Sequence, residues 1–331
     1  MIVTKTPLRV SFFGGGSDVE AFYSQHPGAV LSATIDKYIR LAVQRVARPH
    51  IKVLYSEVEQ VKEIDHIKHD RVRECLRHFK VNQNIEIASF ADIPTKGTGL
   101  GSSSAFTVGL IQALSTYIGL QMSRYDVAEL ACQIEIERCG QKIGKQDQYA
   151  SAFGGFNFIS FDKNLIEAVP LNISADTVNH FGEHLMCFYT GQTRNASTIL
   201  SDQVGKLERN DSDIIFLTKE MVDIANTARV ELQAGRVDNV GALLDDGWRI
   251  KKKLSSGISN PLIDQMYEDA KSAGALGGKV LGAGGGGYLL LYVPYKYQKA
   301  VLNKLSSFEP FVFDFTDQGS RVVYNDEPHV Y

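Results

Sequence analysis

The segment Pro94-Thr95-Lys96-Gly97-Thr98-Gly99-Leu100-Gly101-Ser102-Ser103-Ser104-Ala105 constrains the chain more than any other stretch. It joins a strand-like run, Ile85 to Phe90, to an apolar stretch at helical spacing that begins at Ser103. Val108, Ile111, Leu114 and Ile118 fall on one face of that predicted helix. Glycines let the backbone come close to a ligand, and a helix start offers unpaired N–H groups and the positive end of its dipole. Such a segment is a cradle for phosphate. The hydroxyls of Ser102, Ser103 and Ser104 add donors to phosphate oxygens or oxygen ligands for Mg²⁺. Neither a Walker A loop nor a dinucleotide fingerprint after the first strand is present.

Around this cradle the pattern predicts short strands over Leu8 to Phe13, Ala29 to Ile35, Tyr38 to Val46 and Ile51 to Tyr55, and a helix over His69 to Phe79. Ser123 predicts the cap of a helix carrying Val127, Leu130 and Ile134. Strands are expected over Phe156 to Phe161 and Leu185 to Tyr189, then a helical stretch from Ala196 to Leu254 punctuated by Gly235 and Gly241. Pro261 opens a further helix, and Val280 to Leu281 and Tyr288 to Val293 flank a glycine cluster. An amphipathic helix over Tyr297 to Leu305 precedes a terminal strand region around Phe311 to Phe315. A β-rich first half and a helix-rich second half imply an α+β fold rather than a doubly wound sheet. The weakest seam, near residues 163 to 184, divides the chain into parts 1–170 and 171–331.

Composition narrows the class. With 35 basic and 38 acidic residues the net charge is -3, which does not describe a polybasic nucleic-acid binder. Cys75, Cys132, Cys139 and Cys187 have no metal-ligand spacing, so they read as buried or half-buried thiols in a reducing compartment. Pro7 comes too early for a signal sequence, and no apolar run approaches the ~20 residues of a membrane span. A cytoplasmic protein that acts on small molecules is expected, with a homodimer left open.

The string Gly99-Leu100-Gly101-Ser102-Ser103 resembles the second motif of the GHMP kinase superfamily, the galactokinase, homoserine kinase, mevalonate kinase and phosphomevalonate kinase group. Pro7-Leu8-Arg9-Val10-Ser11-Phe12-Phe13-Gly14-Gly15-Gly16-Ser17-Asp18 is similar to its first motif, with Arg9 and Asp18 in place. Gly282-Ala283-Gly284-Gly285-Gly286-Gly287 looks like its C-terminal glycine motif. The resemblance spans nearly the whole chain. It implies a two-part fold, an N-terminal domain like ribosomal protein S5 domain 2 and a C-terminal ferredoxin-like α/β plait. ATP would lie over Gly97, Gly99, Leu100, Gly101, Ser102, Ser103 and Ser104.

Phosphoryl transfer needs positioning, charge neutralisation and a destination for the hydroxyl proton. Glu135, Glu137, Gly140 and the run Lys142-Ile143-Gly144-Lys145-Gln146-Asp147-Gln148 resemble the galactokinase pattern of a helical Glu, a turn and Gly-x-x-Asp-Gln. That resemblance makes Asp147 the general base and assigns Mg²⁺ to Glu135 with Ser103. Glu137 is the rival, on another face of the same helix. Arg9 is expected to lower the pKa of Asp147 or to bind a phosphate oxygen. Lys145 is a candidate for stabilising charge on the transferring group.

The acceptor is expected to meet Gly15, Gly16, Ser17, Asp18 and the loop at Gly284 and Gly285. Asp18 resembles the residue that binds sugar hydroxyls in galactokinases, whereas Gly15-Gly16 replaces their Glu-His and leaves room for a bulkier sugar. Gly14-Gly15-Gly16-Ser17-Asp18, Gly144-Lys145-Gln146-Asp147-Gln148-Tyr149-Ala150-Ser151-Ala152-Phe153-Gly154-Gly155 and Gly278-Lys279-Val280-Leu281-Gly282-Ala283-Gly284-Gly285-Gly286-Gly287 together look like the subgroup that phosphorylates the anomeric hydroxyl of D-glycero-D-manno-heptose 7-phosphate. Such a substrate needs a basic pocket for its phosphate, with Arg194 first and Lys253 and Lys279 behind. A kinase for fucose, an N-acetylhexosamine or a mevalonate-like acid is the alternative within the class. A catalytically silent sugar and ATP sensor is the alternative outside it.

Overall fold

A computed structural model of the chain describes residues 1–94, 97–192 and 196–326. The first half builds strands β1 (Ile2–Phe13), β2 (Gly28–Arg45), β3 (Ile51–Leu54), β4 (Val58–Val61), β5 (Ile85–Ala91), β6 (Phe156–Phe161) and β7 (Ile166–Pro170). The two runs expected at Ala29 and Tyr38 are one strand. β2 is long enough to pair with β1 along one edge and, along the other, with β6 near its start and β5 near its end. The second half contributes a separate antiparallel sheet of β8 (Leu185–Tyr189), β9 (Gly277–Val280) and β10 (Tyr288–Tyr292), in the order β8-β10-β9. The last strand, β11 (Arg321–Asn325), returns to pair antiparallel with β1.

Helices α1 (Glu20–Tyr23), α2 (Asp70–Phe79), α3 (Ser102–Tyr117), α4 (Arg124–Cys132) and α5 (Gln146–Phe153) belong to the first half. Those of the second are α6 (Ala175–Glu183), α7 (Ala196–Glu208), α8 (Ser212–Gln233), α9 (Val237–Leu254), α10 (Pro261–Ser272) and α11 (Tyr295–Lys304). Gly109 lets α3 lie close on β1, because a Cβ there would come within 2.6 Å of Thr6 Oγ1. Val108, Ile111 and Leu114 are fully buried under the sheet, which positions the glycine and serine loop at its rim. Ser123 caps α4 in a reciprocal box with Asp126, as expected. Among the described residues no helix is long and apolar enough to cross a membrane.

Several expectations are corrected. Ile118 lies just past the end of α3 and is exposed, because the helix stops at Tyr117. Gly241 does not interrupt a helix. It lies inside α9, where a Cβ would collide with the Tyr292 ring, so its smallness serves helix–sheet packing. Phe311 to Phe315 form no strand and make only the isolated bridge of Phe315 to Ile35. Their alternating rings enter an aromatic cluster instead, Phe315 lying 4.5 Å from Phe156 between centroids. Strands β4 and β7 are only four and five residues long and largely unburied, which hides them from a hydrophobicity pattern.

Candidate active site

A cleft of about 580 Å³ opens where β1, the loop before α3, the start of α5 and the end of α9 converge. Gly97, Gly99 and Gly101 take left-handed φ of 70°, 76° and 74°. Gly99 also makes room for a second loop. A Cβ on Gly99 would strike the Leu281 carbonyl, and one on Gly282 would lie 2.5 Å from the Gly99 Cα. Gly101 occupies the N-cap of α3 without a side-chain cap, so the first turn of a 16-residue helix points its N–H groups into the cleft. This geometry fits nucleotide phosphates, with Ser103 exposed at the mouth and Ser102 and Ser104 buried beside it. Leu100 is fully buried and acts through its carbonyl, which accepts from Arg9 N at 3.1 Å.

Asp147 sits in the first turn of α5, and Arg9 reaches it from β1. The guanidinium donates Nε to Oδ1 at 2.7 Å and Nη2 to Oδ2 at 2.8 Å, while Nη1 holds the Gly99 carbonyl at 2.6 Å. Arg9 is therefore clamped between the phosphate loop and the proposed base. A Cβ on Gly101 would come within 3.3 Å of Asp147 Oδ2, so the loop and the carboxylate touch.

Asp18 is buried at the floor of the cleft. It accepts from the backbone N–H of Gly16 at 2.8 Å and of Gln146 at 3.2 Å. Burial nevertheless pushes its carboxyl above the usual range, and the nearby Asp147 pushes the same way. Gly144 is small for this reason, since a Cβ there would lie 1.9 Å from Asp18 Oδ2. Ser11 Oγ, Gln146 Oε1 and Gln203 Nε2 line the same corner beside Gly15 and Gly16, buried and without hydrogen-bond partners among the described residues. A cluster of orphaned donors and acceptors is what a polyol would satisfy. Gln203 comes from α7, far from every recognised motif, and carried no signal in the sequence.

Other expected residues lie elsewhere. Ser17 is bound into its own turn through Gly14 O and the Ala29 main chain. Lys145 turns away toward Glu129, 3.6 Å distant, and the Tyr23 ring, because its position just before α5 points it out of the cleft. Gly284 and Gly285 pack against Ile258, and Gly282 and Ala283 face the cleft instead. Lys253 is exposed on α9, Lys279 is buried in the cleft wall, and Arg194 lies outside the described residues.

Glu135 is fully buried in a π turn, Gln133–Arg138, that continues α4, and Glu137 is exposed. Its Oε1 accepts from Arg71 Nε at 2.7 Å, and its Oε2 from Ser104 Oγ at 2.7 Å and Gln148 Nε2 at 2.6 Å. The serine that meets Glu135 is Ser104, not Ser103, because one step along the first turn of α3 turns the hydroxyl inward. A guanidinium already neutralises this carboxylate. The Ser103 and Glu135 pair expected for Mg²⁺ does not fit the arrangement, since a cation at Glu135 would have to displace Arg71.

Two family models match, GHMP kinases N terminal domain over residues 67–155 and GHMP kinases C terminal over residues 228–310. A D-glycero-alpha-D-manno-heptose 7-phosphate kinase of Campylobacter jejuni is 31% identical across 97% of this chain and 98% of its own. The chain belongs to the GHMP kinase family. The mevalonate kinase of Pyrococcus furiosus is 25% identical over 97% of the chain and 98% of its own. Among solved structures, a D-glycero-D-manno-heptose 1-phosphate kinase from Bacteroides thetaiotaomicron superposes with a TM-score of 0.81 at 24% identity, covering 99% of this chain and all of that one. The galactokinase of Lactococcus lactis gives 0.78 at 18% identity, covering 97% of this chain and 94% of its own. The α+β fold is thus that of the GHMP kinases, and the protein is a phosphotransferase of that family.

Proposed function

We propose that the protein transfers the γ-phosphoryl group of ATP to the anomeric 1-hydroxyl of D-glycero-D-manno-heptose 7-phosphate, giving the 1,7-bisphosphate. The reaction would serve GDP-heptose biosynthesis for bacterial surface glycans, in the cytoplasm. The observation that carries this reading is the contact of Asp147 with the phosphate loop on one side and its place beside the Gly15–Gly16 corner on the other. The likeness to the Campylobacter jejuni enzyme over 97% of the chain supports the choice of sugar. A nucleotide-binding part ending at Pro170, the last residue of β7, accords with the same reading.

Asp147 accepts the anomeric proton as the sugar oxygen attacks phosphorus; the bond from phosphorus to the β-phosphate oxygen breaks and ADP leaves. Arg9 holds the carboxylate aligned through two hydrogen bonds, and the first turn of α3 draws phosphate charge toward its N–H groups. Ser11, Gln146 and Gln203 supply the donors and acceptors that orient sugar hydroxyls.

Steady-state ADP production tests the reading. Heptose 7-phosphate should give the highest kcat/KM in a panel with unphosphorylated heptose, fucose, N-acetylhexosamine and mevalonate, and the product should carry its new phosphate on C1. A higher kcat/KM with any other acceptor would reassign the substrate, and no ADP with any of them would leave a sensor.

A further inference from the structure

Two lysines are buried in the part of the cleft wall built by the C-terminal half. Lys251, in the last turn of α9, is 7% exposed, and Lys279, on β9, is 4% exposed. Their ammonium groups rest on main-chain carbonyls. Lys251 Nζ donates to Val280 at 3.3 Å and to Gly282, and Lys279 Nζ donates to Ser11 at 2.8 Å and Phe12 at 2.9 Å. An ammonium has three donors, so each keeps one for a further partner. Among the described residues neither has a carboxylate, because Asp147 is spent on Arg9 and Asp18 on backbone N–H groups.

Only one lysine of the run Lys251-Lys252-Lys253 turns inward. Lys252 pairs with Asp264 and lies over Trp248, and Lys253 is exposed. The inward one ends beside Arg9, so three basic side chains share this wall and a single carboxylate, that of Asp147, pairs with one of them. Burial, with Arg9 nearby, holds Lys251 down to about 7, and burial with Lys251 and Arg9 holds Lys279 well below the lysine range. Buried ammonium groups without a counterion are unfavourable, and an anion completes them.

We infer that Lys251 and Lys279 form a seat for a phosphoryl group, distinct from the nucleotide loop. Its occupant is a phosphoryl group, either the acceptor's own phosphate ester or the γ-phosphoryl group in transit. The identity of the carrier rests on the kinase reading above; the seat does not, since inorganic phosphate probes it directly.

The test is the rise in melting temperature with inorganic phosphate, in the presence of saturating ADP and at constant ionic strength, for the full chain and for Lys251→Met, Lys279→Met and Lys251→Arg. The two methionine variants should weaken the phosphate response about ten- to hundred-fold, the loss of one charge-assisted hydrogen bond, and the arginine variant should retain most of it. Melting temperatures without phosphate set the baseline for each variant, since methionine removes a buried unpaired charge but also the donor that the main-chain carbonyls had. Steady-state kinetics then separates the sources. A raised KM for the phosphorylated acceptor alone assigns the acceptor's phosphate, and a lowered kcat with every acceptor assigns the transferred group. A methionine variant that folds and answers phosphate like the unaltered protein overturns the seat. If both methionine variants unfold, a Lys251→Arg response unchanged in strength but equally reproduced by chloride overturns it as well.

Discussion

Arg9 and Asp147, 138 residues apart in sequence, are joined by two parallel hydrogen bonds at 2.7 and 2.8 Å. The fork of a guanidinium matches a carboxylate in this way and lysine could not reproduce it. Because the same guanidinium holds the Gly99 carbonyl, the pair sets the distance between base and phosphate loop. Asp147→Asn should leave nucleotide binding nearly intact and lower kcat by about two or more orders of magnitude, a typical general-base contribution. Fluorescence titration with ADP beside single-turnover kinetics checks both halves; near-normal turnover would remove Asp147 from the role of base.

Glu135, fully buried, and Arg71, half-buried, form an ion pair supported by Ser104 and Gln148. Removing one member strands the other. Arg71→Ala should destabilise the protein by about 3–5 kcal/mol, the usual cost of leaving one charge of such a pair buried, whereas the double variant Arg71→Met with Glu135→Gln should recover part of it. Urea unfolding of the single and double variants measures the coupling. Equal stability of all three would show that the carboxylate finds another partner.

The contact of Gly99 with Gly282 joins the two glycine loops backbone to backbone. A methyl group at Gly282, where φ is +67°, meets the Gly99 Cα at 2.5 Å, and neither side is a flexible chain that can yield. Gly282→Ala should cost about 1–3 kcal/mol of stability and raise the KM for ATP, since the phosphate loop must move. Calorimetry and steady-state kinetics check it. An unchanged KM would separate the loops in function.

Lys251 gives a pH dependence whose sign follows from its depressed value. Above about pH 7 the folded, unliganded protein loses that proton, with the charged Arg9 and the titratable Lys279 as the groups facing it. From there up to the ordinary lysine range the unfolded chain binds one proton more, so this lysine's contribution to stability rises with pH. Phosphate needs the charged form. Phosphate affinity should therefore decline as pH rises through and beyond 7, with the midpoint displaced upward because the anion favours the proton. Lys251→Met should flatten this limb in phosphate titrations run on both sides of about pH 7.

Local chemistry is legible in the order of the amino acids alone. Glycine takes the left-handed backbone angles of Gly97, Gly99 and Gly101 without strain, and the apolar spacing after Ser103 demands a helix, so the phosphate cradle and its place between strand and helix follow from that one segment. The cap at Ser123 and the start at Pro261 are equally local. Three motifs point to the family for the same reason, since each is a short string legible in the order of residues.

Side-chain direction is decided by the tertiary structure. Whether Ser103 or Ser104 meets Glu135 depends on the π turn and on the rotation of α3 against α2, and no spacing rule contains either. Adjacency to Asp147 suggests catalysis for Lys145, yet one residue before a helix is enough to send it to Glu129. Lys251 and Gln203 reach the cleft because α9 and α7 pack against the first sheet and its loops, a contact between residues some two hundred positions apart. Periodicity tells which face of a helix is apolar; only packing determines which polar group on that face is closed off from water, and so which one must find a ligand.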